Sequence, residues 1–548
     1  MDCQTERLDH LGIVAGVCQE VGIARWLDQV AGETRRGVSV GTAVVAMILN
    51  GLGFSNRQLY LVPQFFENKP VEHLLGEGIT ADRLNDDCLG RTLDWIYEHD
   101  PTTLFAGLAH QARQHFGIRA SQLHADTTSF SVSGTYSRDE ADQEGNPVAI
   151  AITHGYSRDH REDLKQWMLA LVTTHEGDVP LFLRPLDGNS SDKESLATTI
   201  TQVIRQLREQ DSQNEEEYFV VVDSGGYSQA NIKQYNELGI GWISRVPETS
   251  VEAKQALEEE PAHWLDLPDQ TGKYFVKLMD LPQGKERWIV VRSQARVQAK
   301  QAKMEKTIKE KREQWEKRLW HVSTQSFAHP HDAEAAWQHK LKGKPAWLRA
   351  SYHLQEEKGY EHPGRPSKDA EPTLIRWRLS YQIEVDEAQA QQMALHDAAF
   401  IIATNELRTQ KLPDEHVFGT YKEQGGVERG FRFLKDPLFL ASSVFVKKAE
   451  RIVALSFVMV LCLLVYRLAE HRLREQLEVQ KQTIPNQIQK PTARPTMRWV
   501  FQCFEGIDLL HFHVDRHWHT QVLRLQPLHE KILRLLGPAY CQFYFLSP

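Results

Sequence analysis

The sequence predicts an α/β protein: a mixed sheet flanked by helices, with a helical domain ahead of it and a β-containing insertion within it. Three observations carry this. Residues 1 to about 115 place apolar side chains at helical spacing. Beyond residue 117, runs rich in Thr, Ser and Phe, and then nearly all-apolar runs, have the length and composition of strands. These runs fall in the order three strands, a helix, a strand, a helix and a strand, which builds a mixed sheet.

Taken in order, residues 8–30 and 38–52 form helices, with Gly51 and Gly53 as stop signals, and 93–116 repeats the pattern. Residues 122–132, 148–153 and 166–174 are the first three strands; the last is apolar from Trp167 to Val172. Residues 193–208 form an amphipathic helix. The apolar strand 218–222 ends at Asp223, a Gly225-Gly226 turn follows, and then helix 228–238 and strand 241–246. Residues 249–395 interrupt the pattern. They hold a charged helix over 294–320 with Lys300, Lys303, Lys306, Lys309, Lys311, Arg312, Lys317 and Arg318, a Pro/Gly loop at 359–372, a strand at 375–385 and a helix at 387–394. The charged helix is ordinarily a solvated one laced with Glu–Lys pairs, and it is also the chain's best candidate DNA-facing surface. Residues 398–404 are a buried strand, 453–468 a helix, and the Gln- and Pro-rich stretch 480–496 a linker. The expected domains are therefore 1–116, for DNA-end binding or assembly; 117–248, the first part of a core; 249–395, an insertion; 396–470, the second part of the core; and 471–548, a linker and C-terminal segment.

Composition narrows the function. The chain has 548 residues, 41% of them apolar, enough for three or four domains of ~150 residues. Its net charge of −9 at pH 7 excludes a uniformly basic nucleic-acid binder, so any DNA contact rests on local cations. Six scattered cysteines without a CxxC pair fit a reducing cytosol and argue against a disulfide framework or a Cys-rich zinc module. Met1 to Arg7 mixes charges, so no secretory leader is expected. The longest uncharged apolar run, 452–466, is shorter than the ~20 residues that span a bilayer, and is expected as a buried helix. These features together point to a cytoplasmic protein with no membrane partner.

The chemistry gathers around residues 421–435. Tyr421, Gln424, Glu428, Arg432 and Lys435 recur at helical intervals and share one face. An acid, an aromatic hydroxyl and two cations on one face suit a metal site that also grips phosphate, although most such faces are simply solvated. Two aspartates add to this. Asp126 lies within a strand, and Asp223 directly follows one, where open α/β sheets present their ligands. Three convergent carboxylates favour Mg²⁺ or Mn²⁺, and two such ions ~3.5–4 Å apart support phosphodiester cleavage.

With these residues in hand, the chain resembles the DDE transposases of bacterial insertion sequences, of the Tyr-Arg-Glu-Lys signature type. Residues 154–166, 187–192 and 242–247 are similar to that group as well, and the resemblance runs from about residue 1 to 470. It implies an RNase H-like, retroviral-integrase-like core with Asp126, Asp223 and Glu428 as the metal-holding catalytic triad and two Mg²⁺ (or Mn²⁺) ions. The insertion would lie between Asp223 and Glu428, which are 428 − 223 = 205 positions apart. It further implies DNA as partner, with terminal inverted repeats bound by a homodimer, cut with water, and joined to target DNA through the freed 3′-OH. Tyr421, Arg432, Lys435, Arg245 and Arg365 would contact DNA. Gln424 is a further DNA contact; it stands where the signature has Arg and can donate a hydrogen bond but lacks charge and a bidentate fork, so phosphate contact there would be weaker, or Arg429 or Arg432 would substitute. Gly425, Gly426 and Gly430 each disfavour a helix by ~1 kcal/mol relative to Ala. Two other readings are a catalytically inactive or repurposed DNA-binding relative, and an RNase H-fold nuclease unconnected with transposition.

Three secondary signals remain. Arg365, between Gly364 and Pro366, resembles a minor-groove hook; a Pro/Gly surface loop is the plainer reading. His511, His513, His517 and His519 cluster without a zinc-finger spacing. Trp264, Trp288, Trp315, Trp320, Trp337, Trp347 and Trp377 enrich the insertion; most are core, and one could stack on a flipped base.

Overall fold

The computed structural model describes residues 3–32, 37–54, 58–134, 136, 149–157, 159, 161–210, 217–259, 261–268, 270–359, 374–436, 448–514 and 517–547, with the backbone alone at 192–194 and 514. The chain divides into two compact units: Met1–Ser244 with Asp280–Glu286 and Thr404–Pro548, and Arg245–Met279 with Arg287–Ala403.

The first unit opens with strand β1 (Cys3–Arg7) and helices α1 (Leu11–Val21), α2 (Ile23–Ala31), α3 (Val40–Leu52), α4 (Asp86–Glu98) and α5 (Pro101–Phe116). The single helix expected over 8–30 is two, because Gly22 adopts φ 72 and caps α1. The helix expected over 93–116 is divided between α4 and α5 at Asp100, which has φ 55 and caps the Thr102 amide, with Pro101 opening α5.

Strands β2 (Gln122–Val132), β3 (Lys165–Thr174), β4 (Pro180–Leu186), β5 (Phe219–Val222) and β6 (Gly241–Arg245) follow, with helices α6 (Asp192–Gln210) and α7 (Gln229–Glu237) between them. The spatial order is β4-β3-β2-β5-β6. The β4-β3-β2 ladders are antiparallel and the β2-β5-β6 ladders parallel. This is the RNase H-like arrangement. The third strand is β4, not 148–153 as expected: among the described residues of that stretch, 149–153, only Thr153 bridges, to Gln166. The chain instead packs backbone against backbone there. A Cβ on Gly188 would lie 2.0 Å from the Gln166 carbonyl oxygen, and one on Gly155 would lie 2.1 Å from the Gly188 oxygen. The Gln166 side chain donates from Nε2 to that same Gly188 oxygen at 2.7 Å.

After the second unit come α8 (Asp414–Lys422), α9 (Gly425–Leu434), α10 (Ala449–Val479), α11 (Met497–Cys503), strands β7 (Asp508–Val514) and β8 (His517–Leu523), and α12 (Pro527–Leu536). Among the described residues α10 is the one helix long and apolar enough to cross a membrane, but its apolar window is 100% buried. It packs among α1, α3, α4, α5 and α12 and is the core helix of the unit. The stretch 480–496, expected as a linker, is an anchored hairpin. Ile484–Pro485 pairs with Pro491–Thr492, Trp499 Nε1 donates to the Pro485 carbonyl at 2.9 Å, and Arg474 Nε donates to that of Pro495 at 2.9 Å. Nor is the C-terminal segment separate from the N-terminal helices. β1 pairs with β7, and the Tyr540 and Tyr544 rings cover Gly16 and Gly12 so closely that a Cβ there would come within 2.8 and 2.7 Å.

The second unit contains most of the strands Gly272–Leu281, Gly284–Ser293 and Ala399–Thr404, together with the 30-residue helix Gln294–Ser323, the antiparallel pair Leu348–Gly359 and Leu374–Val385, and the helix Glu387–His396. Trp315, Leu319, Trp337, Trp347 and Leu379 form its core. The long helix exposes most of its length and carries the pairs Lys306–Glu310 and Arg312–Glu316, as a solvated helix does.

Candidate active site

The parallel β2–β5 ladder relates the two aspartates. In it, His124 pairs with Val221. Continued by two residues past its last pair, that register would set Asp126 beside Asp223, on one face and at the C-terminal end of β5. Asp126 Oδ1 accepts the Thr127 amide at 2.7 Å. Asp223 Oδ1 accepts the Gly226 amide at 3.1 Å, and the Asp223 carbonyl accepts from Ser244 Oγ at 3.1 Å. The Gly225-Gly226 turn permits this: a Cβ on Gly225 would press on Asp223 Oδ1 at 3.0 Å. An all-oxygen pair of this kind matches a hard divalent cation.

Helix α9 lies on the same face. Leu171 is the cross-strand partner of Asp126, and a Cβ on Gly430 would lie 3.6 Å from Leu171 Cδ2 and 3.2 Å from Leu463 Cδ2. The continuous helix expected over 421–435 is broken. α8 ends at Lys422, Glu423 and Gln424 keep right-handed dihedrals, and a new helix starts at Gly425. Tyr421 therefore belongs to one helix and Glu428 to the first turn of the next. Val427, Phe431 and Leu434 take the buried side of α9, which leaves Glu428 exposed at its flank. The three carboxylates do not converge as expected: among the described residues no three acidic, His or Cys side chains form a metal-ligating group.

The cations are unequally disposed. Lys435 binds Asp159 at 2.8 and 3.0 Å and lies 5.6 Å from the centre of the Phe130 ring. Arg429 binds Asp178 at 2.8 Å. Arg432 is exposed, and Gln424 and Tyr421 are half-buried. Arg245 lies in the second unit, where it pairs with Glu248 at 2.6 Å and faces the Phe400 ring. Arg365 falls outside the described residues. Of the seven tryptophans named above, Trp320, 56% exposed, is the accessible one. The His511–His519 stretch is the β7–β8 hairpin, with His511 paired to Glu6 at 3.0 Å.

Three partners escaped the sequence reading: His175, Glu423 and Asp178. His124, on the Asp126 face, contacts His175 at 3.0 Å, and His175 in turn pairs with Glu423 at 2.9 Å. Burial, aided by the neighbouring His175, pushes His124 down to about 4, so it stays neutral. Asp178 binds Arg429, 251 positions away, and Arg467 at 3.7 Å. No local pattern couples residues so far apart; the one signal was a Gly177-Asp178 turn after an apolar strand.

An RNase H-like sheet with one aspartate within a central strand and a second directly after the neighbouring parallel strand defines a class of metal-dependent enzymes that cleave phosphodiesters. Within that class the family is clear. Residues 123–465, more than half of the chain, match the transposase DDE domain, and the chain belongs to that family. It is a transposase, an enzyme that cleaves DNA and depends on divalent metal. Residues 3–110 match a domain of unknown function, DUF4277. No curated protein sequence matches the chain. Among solved structures, the chain is similar to a piggyBac transposase synaptic complex with hairpin DNA, at 9% identity and a TM-score of 0.37, over 92% of this chain and 82% of that one. It is also similar to a Mos1 mariner paired-end complex with Mn, at 11% identity and a TM-score of 0.16, over 40% and 65%. These superpositions are too loose to transfer any residue.

Proposed function

We propose that this transposase works by cut-and-paste: it binds the terminal inverted repeats of its element as a homodimer in the cytoplasm, hydrolyses a strand at each end with water, and directs the freed 3′-OH into target DNA. The observation that carries this reading is the register that, continued, would set Asp126 beside Asp223, with α9 on the same sheet face. Asp126 and Asp223 would hold the divalent cations, Mg²⁺ or Mn²⁺, with Glu428, exposed on the flank of α9, as the third carboxylate. Bound there, two such ions would activate an attacking oxygen and stabilise the leaving one. The chain supplies position and charge. The amides of Thr127 and Gly226 fix the aspartate rotamers. Arg432 takes over the phosphate contact that Gln424 cannot make with charge, and Tyr421 and Lys435 flank it.

Incubation with Mg²⁺ and an inverted-repeat duplex tests this. Wild-type protein should nick and join the end, and Asp223→Asn should lose roughly 100-fold or more of that activity while still binding the duplex. Equal activity in both would sink the assignment of Asp223. Binding without cleavage in both would support the inactive-relative reading instead.

A further inference from the structure

We propose that the turn between β3 and β4, residues 175–178, is the clamp that positions Glu428, with Asp178 and Arg429 as its positioning residues. This rests on the assignment of Glu428 as the third metal carboxylate. The turn grips the α8–α9 junction on both sides of the helix break. Before the break, His175 Nε2 holds Glu423 at 2.9 Å. After it, Asp178 holds Arg429, the residue next to Glu428, at 2.8 Å. Asp178 also sits against the first turn of α9: a Cβ on Gly426 would lie 2.0 Å from its Oδ1. Only glycine lets the carboxylate come so close to the helix backbone. Gly426, which weakens the helix in isolation, is thus required by the contact.

The turn is itself held. Gly177 and Asp178 have consecutive positive φ of 77° and 54°, a conformation that persists in a non-glycine residue only when its surroundings enforce it. The surroundings here are the core helix. Arg467 of α10, 7% exposed, approaches Asp178 at 3.7 Å and is paired with Glu470 at 3.6 Å. Rigid α10 therefore fixes Asp178, Asp178 fixes Arg429 and Gly426, and these set where Glu428 stands relative to Asp126 and Asp223. Partners that orient a ligand carboxylate shift metal affinity by about 10–100-fold when removed.

The test is a Mn²⁺ titration of the full chain followed by electron paramagnetic resonance of the free ion, alongside the Mg²⁺ dependence of end cleavage and thermal melting. Asp178→Asn keeps the shape but removes the charge. Arg429→Gln, at a side chain 54% exposed, repeats the test from the partner without altering the turn and keeps it decisive if the first variant fails to fold. We expect both to weaken Mn²⁺ binding about tenfold and to raise the Mg²⁺ needed for half-maximal cleavage by the same factor, with Arg429→Gln melting like wild type. Glu428→Gln serves as the reference. If Glu428→Gln is inactive while Arg429→Gln titrates Mn²⁺ like wild type, the clamp is overturned and the role of Glu428 stands. If Glu428→Gln cleaves and binds Mn²⁺ like wild type, both fall.

Discussion

Lys435 and His10 show how single side chains are committed by their surroundings. Lys435 has the right charge to hold a phosphate, yet in this structure both oxygens of Asp159 occupy it. An ion pair of this exposure contributes about 0.2–1 kcal/mol, so DNA must displace it at that expense. Asp159→Asn should therefore raise affinity for end DNA about two- to fivefold at low salt, measured by fluorescence anisotropy; unchanged affinity would exclude Lys435 from phosphate contact. His10 is buried, bonds the Leu52 carbonyl at 2.8 Å and stacks on Phe501. Burial lowers its imidazole to about 4 from the ordinary 6.5. Between those values the unfolded chain binds a proton that the folded chain refuses. The stabilisation is thus complete above about pH 6.5 and is lost as the pH falls towards 4. The urea midpoint should drop between pH 7 and pH 5, and His10→Gln should flatten that drop.

At the scale of elements, the helix pair α8–α9 explains why its glycines are not interchangeable. Gly426 and Gly430 face Asp178, and Leu463 with Leu171, at distances a side chain would violate or crowd. Gly425 meets only the Arg429 guanidinium, at 3.4 Å, an ordinary van der Waals contact. Gly425→Ala should stabilise the protein by about 0.5–1 kcal/mol, read as a higher melting temperature, because it removes glycine's backbone freedom without a clash. A lower melting temperature would mean that the break before α9 needs glycine there. Of the three glycines that disfavour a helix in isolation, Gly426 is required by a close contact and Gly430 is tightly packed.

Across the whole molecule, the two ends of the first unit are one structure. Tyr540 is fully buried and donates from its hydroxyl to Glu20 at 2.9 Å, and Tyr544 donates to the Asp9 carbonyl at 2.7 Å. Tyr540→Ala should cost about 3 kcal/mol or more and lower the denaturant midpoint of the α1–α5 helices together with that of the C-terminal segment. Separate transitions for the two would show that they are independent. The same integration explains α10. A helix apolar on all sides is compatible with a membrane or with the centre of a protein, and here helices from both ends of the chain cover it.

The sequence by itself determined the α/β class, the strands that bear Asp126 and Asp223, and the family. Apolar strands and the carboxylates after them are local patterns, and local patterns follow from backbone periodicity. The spacing of Tyr421, Glu428 and Lys435 was legible for the same reason, but the break between α8 and α9 was not. That break is flanked by contacts to His175 and Asp178, which lie some 250 positions earlier and reach it only through the β3–β4 turn. Tertiary structure alone decided that β4 completes the antiparallel ladder, that the expected linker is an anchored hairpin, and that Glu428 stands at the flank of its helix. Each of these depends on which distant backbone comes close enough to exclude a side chain or accept a hydrogen bond, and no periodicity along the chain encodes that.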